Sequence, residues 1–270
     1  MESTCLNCSQ PITANFCGNC GQKKYKRIDR KYIMDEVQYT FIHTNKGFLY
    51  SVKNIIKNPG KTAREFIEGN RVNHYKPILL AFVLSGISAF ISYKILGMAD
   101  TVMKHFQSEK YAAAAGSQFM HDYMSFVTSY NSFIMLLSIP FFSFFTYLSF
   151  KKWGHNYYEH IVISSYILSF YTISLIVLFY PVLFLLKGSP TTFYNVSMIS
   201  LLLTPLLLVF FFKEFYNDKP LKSIILRVLA LVGLIIIGVC ILMTAIIVLG
   251  VIVAMLKGPE ALEYIAPKKH

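Results

Sequence analysis

Residues 224–256 read IILRVLALVGLIIIGVCILMTAIIVLGVIVAML, the longest apolar run of the chain. A helix needs roughly 20 such residues to cross a hydrocarbon core of ~30 Å, so this run exceeds the requirement and predicts a tilted or overhanging span. Four further runs of sufficient length precede it, at 77–96, 131–150, 161–186 and 193–212, with Pro205 placed to kink the fourth. Hydrophobic residues make up 54% of the sequence and charged ones only 15%, with a mean hydropathy of +0.48. One soluble core cannot hide that much apolar side chain, so the chain needs lipid as a solvent. The predicted fold class is therefore an all-α integral membrane protein of about five transmembrane helices.

Charge sets the expected topology. The formal net charge is +12, and apart from Lys94, Lys104, Lys110, Lys187, Lys257, Lys268 and Lys269, every Lys and Arg falls in 1–76, 151–160 or 213–227. Basic residues near spans stay on the cytoplasmic side, which places the N-terminus inside and the C-terminus outside. Nucleic acid is disfavoured as a partner, because topology and attraction to anionic lipid already account for the charge. The N-terminus is polar and cysteine-rich rather than built like a signal peptide, so an internal span is expected to direct insertion. No internal repeat of the inverted-transporter kind is evident.

The chain divides by composition into a head at 1–22, a basic juxtamembrane segment at 23–76 and the bundle at 77–270. In the head, Cys5-x-x-Cys8 and Cys17-x-x-Cys20 offer four thiolates in two turns, the donor set of a structural zinc site. Gly21 follows the second pair, where the lack of a Cβ lets backbone amides turn toward the sulfurs. So short a segment has no core, and bound metal would supply its folding free energy. A disulfide staple or a redox pair is the alternative, disfavoured by a reducing cytosol and by the lack of a βαβ context. With four protein ligands the zinc would be structural rather than catalytic. Cys240 lies alone in the last apolar run and is expected to behave as a small hydrophobe.

In the juxtamembrane segment, Ile33, Val37 and Phe41 recur at helical spacing, as do Phe48, Val52, Ile55 and Ile56, then Ala63, Phe66 and Ile67. Asn58, Pro59 and Gly60 interrupt the last two stretches. Residues 45–72 are expected either to lie on anionic lipid through Lys53, Lys57, Lys61 and Arg64, or to pack on the ends of the bundle. The run from Asn58 to Thr62 is not a phosphate loop, since position 55 is Ile rather than Gly.

Trp153-Gly-His155-Asn-Tyr157-Tyr158-Glu159-His160 leads into the third span. Glu159 with His160 or His155 forms a candidate acid–base pair at the membrane boundary. The competing reading is that Glu159 only caps a helix. His155 and His160 could gather a metal with His43 or His74, but no spacing calls for it. Residues 98–130 read as an extracytoplasmic helical loop containing His105, His121 and Asp122.

The stretch Asn15-Phe16-Cys17-Gly18-Asn19-Cys20-Gly21-Gln22 begins a pattern that continues through Lys46-Gly47-Phe48, Pro59-Gly60-Lys61-Thr62, Arg64-Glu65-Phe66-Ile67, Gly69, Arg71 and Tyr75-Lys76-Pro77. Tyr158-Glu159-His160 and Ser169-Phe170 extend it. It resembles the bacterial membrane proteins, common in Bacteroidetes, grouped as domain of unknown function 3667. The resemblance implies a membrane bundle with a zinc-ribbon-like head in a bacterial cytoplasmic (inner) membrane and supplies no activity. Three functions follow as expectations: a non-enzymatic scaffold or regulator whose head, residues 1–22, docks a cytosolic protein; a transporter, channel or lipid-handling protein, with Pro140, Pro181 and Pro205 breaking helices along a path; and an enzyme using the Glu159–His160 pair.

Overall fold

The computed structural model describes residues 3–5, 7–21, 44–71, 74–108 and 117–257. The periodic stretch Ile33-Val37-Phe41 and His43 lie outside them. The chain forms two compact units, residues 1–47 and 48–270. In the first, strands β1 (Ser3–Thr4) and β2 (Pro11–Ile12) pair antiparallel, with Ser3 opposite Ile12 and Thr4 opposite Pro11.

The second unit is helical. Helix α1 covers Thr44–Lys57 and α2 Pro59–Ile67, the break falling at Asn58 because Pro59 opens the next helix. The first span is α3 (Pro77–Ala89), continued by a π-helical turn at Phe90–Ile95. Gly97, at φ 62°, turns the chain into α4 (Met98–Ser108). Helix α5 (Gln118–Phe150) ends in a 3-10 turn at Lys151–Trp153, closed by Gly154 at φ 98°. Helix α6 (Tyr157–Ser174) passes through a second π-helical turn, Leu175–Phe179, into α7 (Tyr180–Leu185). Helices α8 (Pro190–Leu202) and α9 (Thr204–Phe215) share the fourth span and meet at Leu203, one residue before the Thr204-Pro205 start of α9. Helix α10 (Leu221–Lys257) is the fifth. Among the described residues, five helical segments are long and apolar enough to cross a membrane, and the chain is a multi-pass membrane protein.

Two expectations need correction. Residues 98–130 are not one loop: α4 packs on α8, and residues 118–130 are the first turns of α5. Ser117 starts that helix by accepting a hydrogen bond from the Met120 N–H at 3.2 Å, and hydrophobicity alone misses it because its residues include His121 and Asp122. Cys240 does not pack inside; it is exposed on the outward face of α10.

The spans alternate in direction, so the starts of α3, α6 and α10 share an end with the finishes of α5 and α9. This proximal end holds the larger core. Phe150, Ile163, Tyr166, Phe211, Phe212 and Ile224 are buried there, and Ile55 and Ala63 of α1 and α2 join them. Helix α2 lies on α6 and α9. A smaller cluster of Leu96, Tyr180, Leu183 and Phe193 closes the distal end. Helix α10 contributes only its first turns, Ile224, Val228 and Leu231, to the buried core.

Candidate functional site

The head gathers its four cysteines. The Cys5 N–H donates to the Gln10 carbonyl at 2.8 Å and the Ser9 N–H to the Cys5 carbonyl at 2.9 Å, which folds the first knuckle; the Gly21 N–H donates to the Cys17 carbonyl at 2.9 Å, folding the second. The residue after each pair takes a left-handed backbone, Ser9 at φ 60° and Gly21 at φ 74°. Sequence reading singled out Gly21 and missed Ser9, although the repeated position after each Cys-x-x-Cys was the available signal.

All four sulfurs lie within 4.8 Å of one another. Cys5 and Cys20 Sγ are 3.5 Å apart, as are Cys8 and Cys17 Sγ. A disulfide would need ~2.05 Å, whereas tetrahedral ligands at ~2.3 Å from a metal stand about 3.8 Å apart. The donor set therefore fits a metal ion. Among the described residues, Cys5 and Cys17 are buried with Ile12, and Cys8 packs against them. The backbone N–H groups of Cys20 and then Asn19 hold the Cys17 thiol below its ordinary range, while the Cys8 thiol beside it is pushed up to about 11.

At the proximal end of the bundle the remaining candidates separate. The Glu159 carboxylate turns back to accept the Asn156 N–H at 2.8 Å, while the Glu159 N–H donates to Asn156 Oδ1 at 3.0 Å. This is a complete capping box, so the geometry gives Glu159 a helix-starting role. His160 is fully buried: its Nδ1 is 3.1 Å from Thr146 Oγ1, and Nε2 has no hydrogen-bond partner. His155 Nδ1 lies 3.2 Å from the Tyr216 hydroxyl, and the two imidazole rings are 6.4 Å apart. His74 sits against Tyr50 and Phe66 instead. Among the described residues, only the cysteine group offers a metal-ligating cluster.

Burial, the main cause in each, holds His74 and His155 below the ordinary 6.5. The folded chain then binds fewer protons than the unfolded one in the window just below 6.5, so its stability rises with pH there. The expected result is a melting temperature in mild detergent that is level above 6.5 and falls as pH drops below it, with a shallower fall in His155→Gln. An equal slope in that variant would assign the effect elsewhere.

Sequence reading missed the lock between α2 and α9. The Gly60 N–H, in the first turn of α2, donates to Glu214 Oε2 at 3.1 Å, and Arg64 Nη1 donates to the carbonyls of Glu214 and Phe215 at 3.1 and 3.2 Å. An anion thus meets the N-terminus of one helix and a cation the C-terminus of the other, each satisfying backbone groups a helix end leaves open. Arg64 is consequently spent on the bundle, while Lys53, Lys57 and Lys61 stay exposed. Nearby, Arg227 donates to the Ser149 carbonyl and stacks 4.4 Å over Trp153.

Residues 45–89 match the model of the family described as Protein of unknown function (DUF3667). The match takes in α2 and α3, and with them the Gly60 and Arg64 half of the lock; the cysteine pairs and the Tyr158-Glu159-His160 entry to α6 lie outside it. No curated protein and no solved structure matches the chain.

Proposed function

We propose that this membrane protein is a non-enzymatic scaffold or regulator whose N-terminal head holds one structural zinc ion and docks a cytosolic protein. The observation that carries the reading is the enclosure of four cysteine sulfurs within 4.8 Å, which fills a tetrahedral shell and leaves no position for a reacting water. Phe16, next to Cys17, is 55% exposed, and an aromatic ring presented on so small a rigid head suits an interface anchor. Lys151, Lys152 and Lys219 stand at the end where α3 begins, which supports a cytoplasmic N-terminus in a bacterial inner membrane. The test is crosslinking in cells followed by identification of captured proteins. Phe16→Ser is expected to lose one partner while retaining its metal and membrane insertion, and an unchanged partner set would defeat the docking reading.

The outward basic face of α1 and α2 belongs to the same proposal as a site for anionic lipid. Replacing Lys53 and Lys57 together by Glu is expected to reduce phosphatidylglycerol carried through purification, more so at low salt because screening sets in over ~10 Å at 0.1 M. Equal retention would remove this part.

A second reading, the handling of a neutral lipid or solute by the bundle, is favoured by the two π-helical turns and the α8–α9 break. Such irregular turns inside spans are tolerated where they line a cavity.

A further inference from the structure

Between α3, α5, α6 and α8 lies a cavity of about 300 Å³ whose wall carries Ser85, Ser88, Tyr93, Asn131, Tyr180 and Ser200. Both π-helical turns feed it, one through Ser92 and Tyr93 and the other through Leu175 and Phe179. A second cavity, of about 400 Å³ and almost wholly apolar, shares Met135, Tyr171 and Leu201 in its wall. Each falls within the range of about 300–1,000 Å³ usual for ligand sites.

Several of the hydroxyls are already engaged. Ser88 Oγ and the Tyr180 hydroxyl are 2.6 Å apart, Ser92 donates to the Ala89 carbonyl at 3.2 Å, and Ser200 donates to the Ser197 carbonyl at 2.7 Å. Ser85 differs. It is only 2% exposed, it lines the cavity, and its Oγ has no hydrogen-bond partner. Water is scarce at bilayer depth, so an unsatisfied hydroxyl there is costly unless something in the cavity completes it. Neither wall contains Asp, Glu, Lys, Arg or His. A charged headgroup would find no counter-ion, whereas a hydroxyl or carbonyl would find donors and acceptors in plenty.

We infer that the two cavities together form a binding site for an uncharged amphiphile, its hydroxyl or carbonyl headgroup held at Ser85 in the hydroxyl-lined cavity and its hydrocarbon tail in the apolar one. This rests on the second functional reading and deepens it. The site is independent of the metal-binding head.

The test uses the full chain in phosphatidylcholine nanodiscs with 1-monooleoylglycerol carrying a diazirine in its acyl chain. Labelling is expected to saturate, to map to residues of the two walls, and to be displaced by unlabelled 1-monooleoylglycerol but not by 1-monooleoyl phosphatidic acid, which shares the tail and adds charge. Ser85→Ala, which removes the hydroxyl and little volume, is expected to weaken binding about five-fold, the worth of one neutral hydrogen bond. Ser85→Leu, which fills the space, is expected to abolish it, and Cys17→Ser to leave it unchanged, so that failure of the head and failure of the cavity read differently. Labelling that never saturates, equal displacement by the charged lipid, or full affinity in Ser85→Ala would each overturn the inference.

Discussion

Gly60→Ala is expected to free α2 from the bundle while leaving the five spans inserted. A Cβ at position 60 would collide with the Phe211 carbonyl oxygen and stand 2.5 Å from the Phe215 amide nitrogen and 2.8 Å from Glu214 Cβ. The first two are backbone atoms of α9 and cannot swing aside as a side-chain tip does. Helix α2 must retreat, and with it go the Gly60 bond to Glu214 and both Arg64 bonds to the end of α9. Three hydrogen bonds, two of them from a guanidinium and one to a carboxylate, are together worth about 3–5 kcal/mol, and part of the apolar contact around Ala63 goes with them. Amide exchange across residues 59–67 should rise by two or more orders of magnitude, in keeping with that loss. Gly188→Ala, whose Cβ would meet nothing within 4 Å, should change little, and equal behaviour of the two variants would show that α2 is not held by this contact.

Cys17→Ser is expected to empty the head of metal. A serine hydroxyl does not ionise near neutrality and is a poor ligand for a thiophilic ion, so the tetrahedral shell loses a corner. Structural zinc in small domains contributes about 10–16 kcal/mol of apparent folding free energy at neutral pH, and among the described residues of the head Ile12 with the cysteines themselves is too little apolar surface to replace it. Wild-type protein washed with a weak chelator should retain about one zinc per chain and the variant almost none, while the bundle melts as before. Full occupancy in the variant would mean that the four sulfurs do not act as one site.

The spans were legible because a membrane imposes a length and a polarity that few other constraints imitate. Their ends were less so. Helix α5 reaches back to Gln118 through His121 and Asp122, and hydropathy registers only the lipid-immersed part of a helix. The cysteine pairs were legible through spacing alone, and so was the alternative that Glu159 caps a helix, since a carboxylate in a first helical turn suits the helix dipole. What could not be read was any relation between distant residues. Gly60 reads as part of the interruption at Asn58-Pro59-Gly60, and nothing local to it or to Glu214 announces that one caps the helix of the other. The cavity was hidden for a related reason. Serines on two different spans are unremarkable separately, and only packing puts them around one space with Ser85 unsatisfied.

Glu214 follows Gly60 by 154 residues. At a synthesis rate of about 5–20 residues per second, this separates the two partners by roughly 8–30 s of translation. Until then α6, synthesised earlier, is the only one of its two main partners that α2 can meet. Docking of α2 is thus a late event in biogenesis, closed only when the fourth span has arrived. A chain halted before α9 would carry an intact head and three inserted spans, yet present an amphipathic segment held by α6 alone, the kind of half-covered surface that quality-control proteases and chaperones act upon.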